Sequence, residues 1–193
     1  QYWSDYADRI FPMEELQPRN EIWYTSTDGQ IVQPDLSIGK PALTLLSNTY
    51  ENGKGVLVFE EDLETIPFGV FSSCKTLESV VFPEGVVTVK NAVFEYCENL
   101  VSVRFPSTVT HLGGYLFHDC FNLKSVNIPE GVTKIEEATF AQCYKLPSVS
   151  LPGGLIEIGH SAFYNCWAFE SIRIPETVTT IKDGAFGECR GLK

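Results

Sequence analysis

Apolar residues recur along this chain in one fixed register. Phe71, Phe94, Phe117, Phe140, Phe163 and Phe186 are spaced by 23 residues. Each is followed three positions later by one of the six cysteines, Cys74, Cys97, Cys120, Cys143, Cys166 and Cys189. A constant period of this size marks a stacked repeat, in which each unit buries its apolar face only against its neighbours. Within one unit Val126 and Ile128 alternate with polar residues, which predicts a strand buried on one side. Pro129 follows and ends the strand by removing a donor. Val132 and Ile135 form a second short alternation, and the Ala-Thr-Phe140 and Ala162-Phe163 stretches predict a short helical or 3-10 corner. Equivalent strands are expected near residues 57, 80, 103, 126, 149 and 172. Leu57, Phe59, Leu63 and Ile66 hold the apolar phases one period before Val80, Phe82, Val86 and Val89. They predict an opening half-repeat, whose Phe and Cys phases carry Asn48 and Glu51 instead.

The predicted fold is mostly β: a solenoid of 23-residue repeats with a parallel β-sheet face over residues 55–193, preceded by an N-terminal capping segment over residues 1–54. A solenoid must cover its terminal apolar face. In the capping segment Trp3, Tyr6, Ile10 and Phe11 have helical spacing after Ser4, a suitable N-cap. Ile22-Trp-Tyr and Gln30-Ile-Val flank Thr27-Asp28-Gly29, which predicts a β-hairpin. The C-terminal end of the stack reads as open, because the sequence ends at Lys193 where the next strand would begin. An open apolar end predicts end-to-end self-association.

The repeated motif A-F-x-x-C-x-x-L-x-S-V-x-I-P-x-x-V-x-x-I, with its L-x-x-L-x-L core, resembles the BspA-like leucine-rich-repeat family of bacterial surface proteins. The likeness covers about residues 55–193, and the stretches 20–32 and 47–55 resemble N-terminal segments of such proteins. It implies a leucine-rich-repeat solenoid, an extracellular or cell-surface location, and adhesion or host-surface contact. One departure is plain: the asparagine position of commoner leucine-rich repeats holds Gly85, Thr108, Gly131, Gly154 and Thr177.

Charge narrows the partners. A formal net charge of −11 argues against nucleic acid and against a polybasic membrane contact. No apolar run approaches the length of about 20 residues that spans a bilayer, and the sequence shows no signal peptide. The six cysteines share one phase with the core phenylalanines. They are expected as a stacked row of buried thiols rather than as disulfides, a catalytic nucleophile or a zinc site, which usually includes a close pair of ligands. His111, His118 and His160 fall in three different phases and read as solvated. No cofactor, metal site or catalytic residue is expected, and the chain reads as non-enzymatic.

Two outward ladders are the candidate binding surfaces. On the strand face, Ser79, Ser102, Ser125, Ser148 and Ser171 share one phase. Two residues further on, Arg104, Asn127, Ser150 and Arg173 would line a broad polar groove. At the rim after each cysteine, Phe121, Tyr144 and Trp167 occupy three successive coils, with Tyr164 nearby. Such a strip suits the apolar side chains of a protein partner or the faces of sugars. The readings that follow are a protein-binding, adhesin-like surface module, a carbohydrate-binding surface protein, or a structural spacer in a larger surface protein. The ligand would be a protein or glycan on a host or matrix surface.

Overall fold

A computed structural model describes residues 16–193; the helix expected around Trp3–Phe11 lies outside them. The N-terminal strands are β1 (Glu21–Ser26), β2 (Leu45–Glu51) and β3 (Lys54–Phe59). The repeats contribute β4 (Thr65–Ile66), β5 (Leu77–Val81), β6 (Thr88–Val89), β7 (Ser102–Arg104), β8 (His111–Leu112) and β9 (Ser125–Val126). They continue with β10 (Lys134–Ile135), β11 (Glu157–Ile158) and β12 (Thr180–Ile181). Pairing between repeats is parallel with partners 23 residues apart, as in Val80 with Val103 and Thr65 with Thr88. The interior holds a column of phenylalanine rings from Phe71 to Phe186, stacked at centroid steps of 5.6, 5.4, 5.3, 5.1 and 5.4 Å. The chain is thus a β-solenoid of 23-residue repeats, and the period alone places its core.

The corners depart from expectation. No helix occurs among the described residues. Each corner instead carries two left-handed residues four apart: Ala92 and Tyr96, then Tyr115 and Asp119, then Ala138 and Gln142, then Ser161 and Asn165. A non-glycine residue in that region costs on the order of 1 kcal/mol, and it breaks helical geometry. The compensation is a ladder between coils. Ala92, Phe94 and Tyr96 donate their N–H groups to the carbonyls of Gly114, Leu116 and His118, at 2.9–3.0 Å. A helix would keep those amides for itself.

The N-terminal segment also differs from the sequence reading. β1 runs antiparallel and wedges between β3 and β5, pairing Trp23 with Val56 on one side and with Val81 on the other. The strand at Leu57 is therefore not a rung on Val80, although Leu57 and Phe59 remain fully buried. Ile22 and Tyr24 of β1 fill the core between them. The second half of that opening unit does stack directly, β4 on β6. The hairpin expected at Asp28-Gly29 does not form, because both edges of β1 are already taken. The hairpin is β2–β3, closed by Asn52 and Gly53 at φ 51° and 84°, the signature of a type I′ turn. The stretch after Gly29 instead imitates a missing coil: Asp35 donates its N–H to the Val70 carbonyl, and Val32 enters the core.

On the strand face the ladder fades toward the C-terminal end, and no strand forms at 149 or 172. Val101 and Lys124 donate to the carbonyls one coil earlier, at 2.7 and 2.9 Å. The equivalent residue of the next coil is Pro147, which has no N–H to give. One coil before, the Asn127 side chain already intrudes, taking the Phe105 N–H that a backbone carbonyl would otherwise accept.

Candidate functional site

The rim after each cysteine forms one continuous column. Lys75 Nζ lies 2.8 Å from Glu98 Oε1 at its start. Phe121 stacks on Tyr144 with centroids 5.0 Å apart and planes 3° from parallel, and Tyr144 stacks on Trp167 at 4.3 Å and 15°. The Arg190 guanidinium sits 5.5 Å from the Trp167 ring centre and closes the column. The last three members are each held by the residue two positions before. Tyr144 Oη donates to Gln142 Oε1, Trp167 Nε1 to Asn165 Oδ1, and Arg190 pairs with Glu188. Gln142, Asn165 and Glu188 are left-handed corner residues at φ 62°, 62° and 57°, a backbone turn that aims their side chains at the rim. Sequence reasoning missed these clamps, although all three share one phase.

The stacking consumes the ring faces. Tyr144 carries a ring on each face, Trp167 lies between Tyr144 and the Arg190 guanidinium, and Phe121 gives one face to Tyr144; Trp167 is 45% exposed. Tyr164 stands apart from the column: it is exposed on the corner and lies over Gly187 of the next coil.

The strand-face residues divide. Asn127 is committed to structure, its amide donating to the Phe105 carbonyl and accepting from the Phe105 N–H, both at 2.9 Å. Arg104 is half-buried beside Val81. Ser150 and Arg173 come together with Val149 and Pro175 around a shallow cavity of about 350 Å³. The serine row is exposed only at its far end. Ser79 and Ser102 are buried, Ser79 Oγ lying 2.7 Å from Thr25 Oγ1, whereas Ser148 and Ser171 are open.

The thiols line the interior as a row, and all six are free. Burial pushes Cys97, Cys120 and Cys143 well above the ordinary thiol range, and Cys74 up to about 11. Such thiols are poor nucleophiles. His111 and His160 are exposed, as expected. His118 is not: its Nδ1 is buried 3.0 Å from Asp119 Oδ2 and 3.7 Å from Glu95 Oε1, and Tyr96 and Tyr115 pack edge-on against its ring. The shared phase of Glu95 and His118 carried this signal. Among the described residues no group of His, Cys, Asp and Glu is arranged to hold a metal ion. Those residues contain no helix long and apolar enough to cross a membrane.

The family model of the BspA type leucine-rich repeat region matches residues 64–193 in six copies. No curated protein matches the chain. Among solved structures, a leucine-rich repeat protein from Bacteroides ovatus is 30% identical, with a TM-score of 0.58 over 78% of this chain and 38% of that one. A leucine-rich repeat protein of T. pallidum is 30% identical, with a TM-score of 0.60 over 67% of this chain and 62% of that one. A third, from Eubacterium ventriosum, is 30% identical with a TM-score of 0.50, covering 67% and 40%. The chain spans less than two thirds of the length of each of these relatives.

Proposed function

The chain belongs to the BspA-type leucine-rich repeat family, and from that premise we propose that it is a non-enzymatic recognition module, extracellular or at the cell surface, that binds a protein partner through its aromatic rim. The observation that carries this reading is the Phe121–Tyr144–Trp167 column, clamped in place and capped by Arg190. Pre-fixed aromatic side chains lose little entropy on binding, and aromatic and arginine residues dominate protein interfaces. Similarity to a family of surface proteins supports the location. The buried thiols and scattered histidines favour binding over catalysis. A protein partner is preferred to a sugar because pyranose recognition uses ring faces, and these faces are stacked on one another.

The test is capture from a panel of extracellular-matrix and cell-surface proteins, run beside a glycan array. A protein ligand is expected, with affinity lowered about tenfold or more by the Trp167→Ala/Tyr144→Ala double variant, whose circular dichroism stays unchanged. Undiminished binding by that folded variant, or glycan hits without protein hits, would overturn the proposal.

A further inference from the structure

The corner beside the rim has an unusual charge. Segments 91–98, 114–121, 137–144 and 160–167 contain the carboxylates Glu95, Glu98, Asp119 and Glu137 and no lysine or arginine. Lys75 reaches Glu98 from the preceding coil. Among the described residues no lysine or arginine reaches the other three. Asp119 is only 8% exposed and sits at a left-handed φ of 61°. Its carboxylate accepts no hydrogen bond from any described residue. Its close neighbour, His118 Nδ1, lies at 3.0 Å without hydrogen-bond alignment and is itself a buried atom without a hydrogen bond. Burial raises the Asp119 carboxyl, His118 opposes that shift, and Glu98 adds to it. A largely covered carboxylate without a protein donor is left to water, and a partner that brings N–H groups can replace that water.

The surroundings suit one kind of donor. Tyr96 and Tyr115 flank His118 at centroid distances of 5.8 and 5.7 Å, yet remain 44% and 37% exposed. Tyrosine rings beside carboxylates favour an organic cation. A guanidinium brings five donors in a plane and stacks on aromatic rings, which a compact ammonium does less well. The net charge of −11 draws a basic segment toward the molecule.

We propose that this corner is a docking site for an arginine side chain of the protein partner, with Glu95 and Asp119 accepting its N–H groups and Tyr96 and Tyr115 flanking it. The proposal rests on the protein-recognition reading above and adds the partner's chemistry. His118 stands beside the site, its ring facing Glu95, Asp119, Tyr96 and Tyr115.

The experiment titrates the intact chain with hexa-arginine at 0.15 M salt, followed by calorimetry and by shifts of the tyrosine and histidine ring resonances. Expected results are a loss of about tenfold in Glu95→Gln/Asp119→Asn and about fivefold in Tyr96→Leu/Tyr115→Leu, which keeps every charge. The remote Glu60→Gln/Glu64→Gln variant, equal in charge removed, should bind as wild type does, and hexa-lysine should bind more weakly. Glu95→Gln alone, at a half-exposed position, guards against misfolding of the Asp119 variant. Equal losses in the corner and remote variants, or no shift at the Tyr96 and Tyr115 rings, would sink the arginine site. The Trp167→Ala/Tyr144→Ala variant tests the rim separately, so failure of one is distinguishable from failure of the other.

Discussion

The Cys97 thiol donates to the carbonyl oxygen of Phe71, 2.9 Å away and one coil earlier. The same bond runs from Cys120 to Phe94, Cys143 to Phe117, Cys166 to Phe140 and Cys189 to Phe163, at 3.0–3.3 Å. At the N-terminal end the phase before Phe71 holds Asn48, and Gln33 of the capping segment supplies the carbonyl to Cys74 at 3.5 Å. The cysteine row thus ties successive coils as well as filling space. It also shows how the cap works: Gln33 and Asp35 reproduce the polar groups of a coil without its sequence.

Deleting one interior thiol should reveal that tie. Cys120 is fully buried and its bond is short, so Cys120→Ala should cost about 1–3 kcal/mol, from lost packing and the lost thiol bond, while the Phe94 carbonyl keeps the Cys97 N–H. Cys74 is half-buried with a long bond, and Cys74→Ala should cost less than about 1 kcal/mol. Urea unfolding of the two variants measures the difference. Equal costs would show that the bond to the preceding coil contributes nothing.

The thiols also set an alkaline limit. An unfolded thiol ionises near 9.0, whereas burial raises Cys97, Cys120 and Cys143 in the folded chain. Below that pH both states hold the proton, and these groups add no pH dependence. Above it the unfolded chain binds fewer protons than the folded one, so stability falls as pH rises. Each buried thiol should contribute a slope of up to about 1.4 kcal/mol per pH unit. Cys120→Ala should lose one such contribution between pH 9 and 10.5, read as a shallower fall of the urea midpoint than in wild type. Parallel falls in the two proteins would contradict the assignment.

Asn127 illustrates a residue whose phase suggests a ligand and whose contacts show a strut. Both polar atoms of its amide are engaged with the Phe105 backbone. Asn127→Ala should lower stability by about 1–3 kcal/mol and leave partner affinity, measured on the folded fraction, unchanged. A tenfold loss of affinity with unaltered stability would return Asn127 to the binding surface.

What the sequence disclosed follows from how local the signal was. Positions such as Phe117, Leu112 and Val103 were legible because burial repeats with the period, and the rim column was legible for the same reason. The wedge of β1 was not. Ile22 and Tyr24 alternate like any strand, and nothing in that alternation says that the partners lie at Val56 and Val81. Strand pairing across dozens of residues is decided by which edges are free, a property of the assembled sheet. The corners misled because apolar residues near a phenylalanine suit a helix, while the inter-coil ladder that forbids one exists only after stacking. At the corner site, reading each histidine by its own phase hid the pairing of His118 with Glu95.

Pro147 offers a test of why the strand face loses its ladder. Glu170 donates to the Pro147 carbonyl at 3.1 Å, so the coil still lies close to its successor, and what is missing is the donor toward Lys124. Pro147→Val restores that N–H. One regained backbone bond should contribute about 1 kcal/mol, but removing proline loosens the unfolded chain by about 0.4–1 kcal/mol. Net stability should therefore barely move, and unfolding curves are the wrong measurement. Hydrogen exchange is the right one: the new amide at 147 should exchange at least tenfold more slowly than an unprotected amide, with slowing at Ser148 and Val149 as the ladder extends. A fast-exchanging amide at 147 would mean that the face is held open by the Asn127 intrusion alone, and a double change with Asn127→Val should then close it.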